Sequence, residues 1–126
     1  MINIKPVIVS ALKTDTALTT LLKGLHVYRQ FPAESADFDT HSLIVYSETG
    51  NKPLEKGDEI ELVAEIIMQI DIWSKSSTSD IAIAVDRIMV ELGGARIDAP
   101  DDDQDAPRQC KAMAYKFIAD NEGTIF

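Results

Sequence analysis

The chain has 126 residues, of which 45% are hydrophobic, and its formal net charge is −9. This length is typical of one domain with its own core, so we expect a single domain over residues 1–126. The acidic excess disfavours a general phosphate-binding face, because the DNA backbone is itself negative. No apolar run approaches the roughly 20 residues that span a bilayer, and the first residues lack the long apolar region and cleavage site of a secretion signal, so we expect no membrane partner.

The N-terminal residues 4–22 have the apolar spacing of a helix. Pro6 suits the first turn of that helix, and Gly24 suits its C-terminal end. Residues 14–16 interrupt the apolar stripe. Because Asp15 can cap a second short helix, we predict that the segment is kinked or divided in two.

Two strands are predicted next, at residues 25–31 and 41–48. The stretch that follows, residues 49–58, is rich in residues that favour turns, and we interpret it as a long hairpin connection. Its turn-forming residues are Gly50, Asn51, Pro53 and Gly57.

Residues 59–73 carry the clearest pattern in the chain, an alternation with a period of two. One face of the predicted strand is apolar and should face a core, whereas the other is mainly polar. The stretch is much longer than a common strand of about 5–6 residues, so part of it should project beyond its neighbours or form an extended hairpin. The apolar even positions are Ile60, Leu62, Ala64, Ile66, Met68, Ile70 and Ile72.

The remaining chain contains a helix, a loop and a strand. A helical stripe runs over residues 81–92, residues 97–107 form an aspartate-rich loop, and residues 108–119 form the last strand. Neither side of that strand is plainly polar, which leaves open which of its faces packs inward. Residues 120–126 are predicted to be a mobile tail.

The order of elements is therefore α-β-β-β-α-β. Short connections favour antiparallel neighbours. The predicted fold class is α+β, with two layers: a mainly antiparallel four-stranded sheet and two helices on one of its faces.

The sequence contains no recognisable catalytic motif, so we expect neither an enzyme nor a cofactor or metal site. His26 and His41 lie outside any ligand spacing and are interpreted as polar strand ends. Cys110 is interpreted as a buried small residue rather than a nucleophile. An acidic cluster lacks the glycine and terminal glutamate of an EF-hand loop, which favours a solvated loop. The cluster consists of Asp98, Asp101, Asp102, Asp103 and Asp105.

The odd face of the long strand offers a candidate subunit interface. Val63, Ile67 and Trp73 interrupt its charged residues, and an exposed apolar row beside acids is typical of such a contact. Lys52 and Leu54 in the hairpin connection belong to the same hypothesis, because a long strand with this connection can form an arm that reaches a neighbouring subunit. The alternative is that the sheet curls or that another part of the chain covers this face.

Two segments resemble the tail completion proteins of long-tailed bacteriophages, also called tail terminator or tail-to-head joining proteins. The first is residues 7–18 followed by Val27 and Tyr28, and the second is residues 69–74 with a helix directly after it. The resemblance extends from about residue 7 to residue 117 and is sharpest at residues 71–74. The chain departs from the family in residues 34–40, where members often have a proline and a tyrosine.

The resemblance implies a virion protein of the tail, assembled in the cytoplasm of the bacterial host. Such proteins form a homo-oligomeric ring, commonly a hexamer, at the end of the tail tube nearest the head. The ring stops tube polymerisation and offers a surface to the head connector, and DNA passes through its lumen without specific binding. We hypothesise that the acidic cluster faces the lumen or the tube.

Other functions remain open at this point. A neck or tail-tube protein has a related small fold, and a cytoplasmic adaptor can bind a protein partner through a sheet edge. A small hydrolase or transferase would need a nucleophile and base in a recognisable arrangement, which the sequence lacks.

Overall fold

The computed structural model describes residues 1–29, 42–58, 60–102 and 109–126. In these residues the helices are α1 (Lys5–Thr14), α2 (Thr16–Leu22) and α3 (Ser79–Glu91). The strands are β1 (Val27–Arg29), β2 (Leu43–Gly57), β3 (Ile60–Ser74), β4 (Ala95–Asp98), β5 (Asp101–Asp102) and β6 (Gln109–Asp120). They form one mixed sheet in the order β1-β2-β3-β6-β4, and β5 also pairs with β6.

The core lies between one face of the sheet and the layer of helices. Each helix contributes an apolar stripe, and β3 contributes alternate side chains from Ala64 to Ile72, all of them fully buried. The α+β class with two layers is therefore as predicted. The count of elements is corrected, because the sheet has five strands in its main path and the described residues contain three helices.

The prediction of antiparallel neighbours is wrong for the first pair of strands. β1 runs parallel to β2, with Val27 opposite Ile44 and Arg29 opposite Tyr46. A parallel pair needs a crossover connection of roughly a dozen residues. Residues 30–42 separate the two strands, which is long enough for such a crossover and too long for a tight hairpin.

The predicted hairpin connection at residues 49–58 is instead the second half of β2. The pairing with β3 continues to Gly57 opposite Ile60, and Asp58 in the turn has a φ of +48°. Two-residue hairpin turns need such left-handed backbone. Pro53 is tolerated within the strand because β1 contacts only the start of β2, so Pro53 lies on a sheet edge in the described part of the chain.

The burial of its side chains shows which face of β6 packs inward. Met113, Tyr115, Phe117 and Ala119 point into the core. The chain then turns back on β6, where the backbone N–H of Phe126 donates to the carbonyl of Ile118 at 2.9 Å. The residues that the sequence predicts to be mobile are thus hydrogen-bonded to the end of a sheet strand.

The N-terminal helical segment is divided in two at Asp15, as predicted. The Asp15 carboxylate accepts a hydrogen bond from the backbone N–H of Leu18 at 3.0 Å, which is the geometry of a helix N-cap. Arg87 of α3 donates to both carboxylate oxygens of Asp15 at 2.9 Å. The hydrogen bond from Leu18 and the Arg87 guanidinium lower the pKa of Asp15.

We expect Asp15→Ala to lower the free energy of unfolding by about 1 kcal/mol at pH 7, because α2 loses its cap. A carboxyl with a lowered folded pKa stabilises the protein above its unfolded pKa of about 3.9, and that contribution disappears as the pH falls through the folded pKa. Urea denaturation at pH 7 and pH 2.5 measures both effects. Asp15→Asn is the control, because Asn keeps the cap and loses the charge; equal destabilisation by the two variants would show that the ion pair, not the cap, matters.

Candidate assembly surfaces

The hairpin formed by β2 and β3 projects beyond the rest of the sheet. β6 pairs with β3 only as far as Val63, opposite Asp120, whereas β2 and β3 pair onward to Gly57 and Ile60. We call the projecting part, residues 54–58 and 60–62, the β-arm. In the described portion of the chain its strands pair only with each other. Leu54 is 49% exposed and Ile60 is 58% exposed, so the β-arm presents large apolar side chains to solvent.

A register shift changes which side chains of β3 face the core. Val63 lies opposite Glu55, and Glu61 lies opposite Lys56, so Leu62 is an extra residue on β3. The Glu61 carboxylate accepts a hydrogen bond from the backbone N–H of buried Ile2 at 3.0 Å, which places Glu61 on the helix side of the sheet.

The alternation then directs Ile60 and Leu62 to the opposite side, away from the helices. The prediction that these two residues share the core face is therefore wrong, and both are exposed. The single-residue bulge explains the error, because an alternation counted from sequence alone assumes an uninterrupted ladder.

Four of the five predicted interface residues lie in the β-arm or in the adjoining parts of β2 and β3. Lys52 lies opposite Glu65, Val63 lies opposite Glu55, and Leu54 is the extra residue of a second bulge on β2. Lys52 and Leu54 are exposed, whereas Val63 and Ile67 are partly buried. Whether they contact another subunit stays a prediction.

The surroundings of Ile67 explain its partial burial. A Cβ at Gly50 would lie 3.1 Å from Cγ1 of Ile67, so the isoleucine side chain lies across the glycine. Lys116, opposite Ile67, approaches the Glu65 carboxylate at 3.9 Å. Gly50 is thus present for close packing within the sheet rather than for a turn.

Trp73 lies apart from the other four predicted interface residues. It is about 33 Å from Val63 along β3, at ~3.3 Å per residue. Its neighbours across the sheet are Leu43 and Cys110, both buried. Trp73 therefore belongs to a separate apolar cluster at the far end of the strand.

The acidic cluster begins on strands rather than in an open loop. Asp98 ends β4, where its carboxylate accepts from the backbone N–H of Ala99 at 2.9 Å, and Asp101 forms an ion pair with Lys111 at 3.2 Å. Asp102 pairs in β5 with Cys110 through the backbone. Asp103 and Asp105 lie outside the described residues. The prediction that residues 97–107 form one loop is thus wrong for its first half.

A groove of about 310 Å³ lies between α3 and the sheet, at the end opposite the β-arm. We call it the α3–β6 groove. Its apolar lining includes Ala82, Ile83 and Met113, and its charged lining consists of Asp86, Arg96 and Lys111. Ile83 is 70% exposed, which makes the groove an open apolar surface.

Hydrogen bonds from three elements hold the walls of this groove. The hydroxyl of buried Tyr115 donates to the Asp86 carboxylate at 2.8 Å, and Arg96 of β4 reaches the same oxygen at 3.2 Å. Burial, together with the hydrogen bond to Asp86, raises the pKa of Tyr115. The groove is thus preformed by contacts among α3, β4 and β6, and its charged side chains already have partners within the chain.

The two histidines and the cysteine do not form a recognisable catalytic or metal site in the described residues. His26 lies 3.3 Å from the hydroxyl of Tyr28, Cys110 is buried, and His41 lies outside the described residues. Throughout the described ranges, no group of three or more His, Cys, Asp or Glu side chains is placed to hold a metal ion. None of the helices that the structure describes is long and apolar enough to cross a membrane.

Sequence reasoning missed both Ile83 and the exposure of Ile60 and Leu62. Ile83 carried a signal of its own, because it lies off the helical stripe of Ile81 and Val85 and so had to face outward. Ile60 and Leu62 carried none, since their exposure depends on the bulge.

Comparison with known proteins identifies the class of the chain as a structural protein of a virion tail. The chain matches the family of tail completion protein gp17 over residues 6–111 and belongs to that family. The resemblance noted in the sequence is thereby confirmed.

A chain of a solved structure titled "Virion of native gene transfer agent (GTA) particle" is similar in fold, with a TM-score of 0.62. The match covers 86% of this chain and 88% of that chain at 13% identity. No curated protein matches the chain.

Because of the bulge, we expect the loss of stability on shortening an apolar side chain to differ between two even positions of β3. Ile66→Ala should lower the free energy of unfolding by about 2–5 kcal/mol, because Ile66 is fully buried. Ile60→Ala, at another even position of β3, should change it by less than about 0.5 kcal/mol. Urea unfolding of the monomer measures both, and a large loss for Ile60→Ala would show that the β-arm packs on the core.

Proposed function

We propose that this protein caps the head-proximal end of a phage tail tube as a homo-oligomeric ring and joins the tail to the head. Membership of the tail completion family supports the place in the tail. The β-arm is the observation that carries the ring, because it exposes Leu54 and Ile60 on a hairpin that extends past the rest of the sheet. An exposed apolar projection of this kind is typical of a surface that another subunit covers.

A closed ring follows from contacts between two different surfaces on each subunit. When such a head-to-tail contact has the right rotation, it closes on itself and leaves no free ends. We propose that the β-arm contacts a different surface of the neighbouring subunit, which makes the contact head-to-tail. We propose a hexamer, as is common among tail completion proteins, with the tail tube protein on one side of the ring and the head connector on the other.

The charge of the chain suits a ring through which DNA passes. With 21 acidic against 12 basic residues, the protein offers the phosphate backbone few cations to bind. We propose that the acidic cluster faces the lumen or the tube, so that DNA moves past it without specific binding. Assembly takes place in the cytoplasm of the bacterial host, and the mature protein remains in the virion.

Leu54→Asp should prevent ring formation, because a charge in place of an exposed leucine cannot be buried against a neighbouring subunit without a large desolvation cost. Light scattering coupled to gel filtration measures the mass of the assembly, and urea unfolding checks the monomer. Leu25→Asp is the matched control, since Leu25 is also exposed but lies away from the β-arm. If both variants assemble like the parent protein, the β-arm is not the ring contact.

Replacing the five aspartates of the acidic cluster by asparagine should impair the joining of tails to heads while the monomer stays folded. The reason is that the substitution removes the negative charge that we place at the lumen or the tube. Complementation of a phage that lacks this protein, scored as infectious particles, measures the effect, and circular dichroism checks the fold. Full infectivity of the complemented phage would rule out this role for the cluster.

A further inference from the structure

We propose that the β-arm of one subunit inserts its apolar side chains into the α3–β6 groove of the next copy of this chain. This inference rests on the proposed ring and deepens it, because it names the surface that receives the β-arm. The partner is a second copy of the chain, and the contact is the same at every subunit boundary.

The chemistry of the β-arm calls for an apolar partner. Leu54, Ile60 and Leu62 are all exposed, and the bulge at Leu62 directs Ile60 and Leu62 away from the core of their own subunit. Gly57 adds to this shape, because a Cβ there would lie 3.0 Å from Cδ1 of Leu62. The leucine therefore packs against the hairpin backbone on the same side of the arm as Ile60.

The α3–β6 groove has the space and the lining for such side chains. Its volume is about 310 Å³, roughly twice the ~150 Å³ cavity that holds a benzene molecule. Ile83 and Met113 supply apolar contact, whereas Asp86 and Arg96 are already paired with each other. Lys111 is also in an ion pair, with Asp101 at 3.2 Å, so an apolar side chain that enters the groove leaves no charge there without a partner.

The two surfaces lie at opposite ends of each subunit. Met113 of the groove is opposite Ile70 on β3, and Ile60 of the β-arm lies about 33 Å away along the same strand, at ~3.3 Å per residue. The β-arm therefore cannot reach the groove of its own chain. Contact between them joins one end of a subunit to the other end of the next, which is the head-to-tail arrangement that builds rings.

Two exposed lysines at the β-arm are complementary to acids beside the groove. Residues 52–62 carry two exposed lysines, Lys52 and Lys56, and four acids, Glu55, Asp58, Glu59 and Glu61, so their formal charge is −2 in a chain of net charge −9. Exposed acids border the groove, with Asp80 next to Ser79 of its lining and Asp98 next to Ala99. We propose that Lys52 and Lys56 of one copy lie towards these acids of the next, which offsets part of the repulsion between two acidic chains.

Cysteine cross-linking tests the contact directly. The full-length double variant Ile60→Cys with Ile83→Cys should form, with a short bismaleimide, a ladder of covalent multimers on a denaturing gel that ends at the subunit number found by light scattering. Each single variant should give no ladder, because every contact pairs one arm with one groove. An equal mixture of the two single variants should stop at dimers.

The parent protein is the background control, since its single cysteine, Cys110, is buried. Ile60→Cys with Val90→Cys is the matched control, because Val90 is also exposed on α3 but lies about 10 Å further along the helix, at ~1.5 Å per residue. A ladder from this control but not from the Ile83 variant overturns the proposed groove.

The remaining outcomes separate this inference from the ring itself. A ring in light scattering without a ladder from Ile60→Cys with Ile83→Cys overturns the docking of the arm but leaves the ring standing. Dimers from either single variant indicate a symmetric contact between like surfaces and overturn the docking. Monomers without cross-links, both alone and in the presence of purified tail tubes, contradict the docking and the ring together.

Discussion

The antiparallel pairing of β2 with β3 is the constraint on which the rest of the structure depends. Both strands have 15 residues, and one tight turn at Asp58 joins them. Half of this hairpin supports the helices, because the side chains of β3 from Ala64 to Ile72 form one wall of the core. The other half extends beyond the last residue of β3 that pairs with β6. The same pairing therefore produces both a stable domain and a projecting arm, and the bulge at Leu62 separates the two.

The bulge separates the part of the hairpin that forms the core from the part that projects as the arm. After it, from Ala64 onward, the even positions of β3 point to the helices, whereas Ile60 and Leu62, before and at the bulge, point away from them. A continuous ladder would have turned these side chains towards the core layer. The α3–β6 groove at the other end of the sheet is held by Asp86, which is bonded to both Tyr115 and Arg96. The chain thus has a preformed apolar surface at either end.

Much of the fold could be predicted from local patterns, and the exceptions have physical causes. The alternation on β3 and the cap at Asp15 were visible because they depend on neighbouring residues alone. Residues 49–58 were mistaken for a loop because pairing with a long partner strand outweighs turn propensity at Gly50, Pro53 and Gly57. The exposure of Ile60 could not be predicted, since a bulge depends on both strands of a pair. The groove depends on how the side chains of α3, β4 and β6 pack together, which no local pattern reveals.

The central claim is that this member of the tail completion family closes into a ring through its β-arm. The most direct measurement is the mass of the unmodified protein by light scattering, alone and after mixing with purified tail tubes, followed by electron microscopy of the product. The account predicts a closed assembly of several subunits with an open lumen, located at one end of the tube. A protein that stays monomeric at every concentration and leaves the tube ends bare would contradict it.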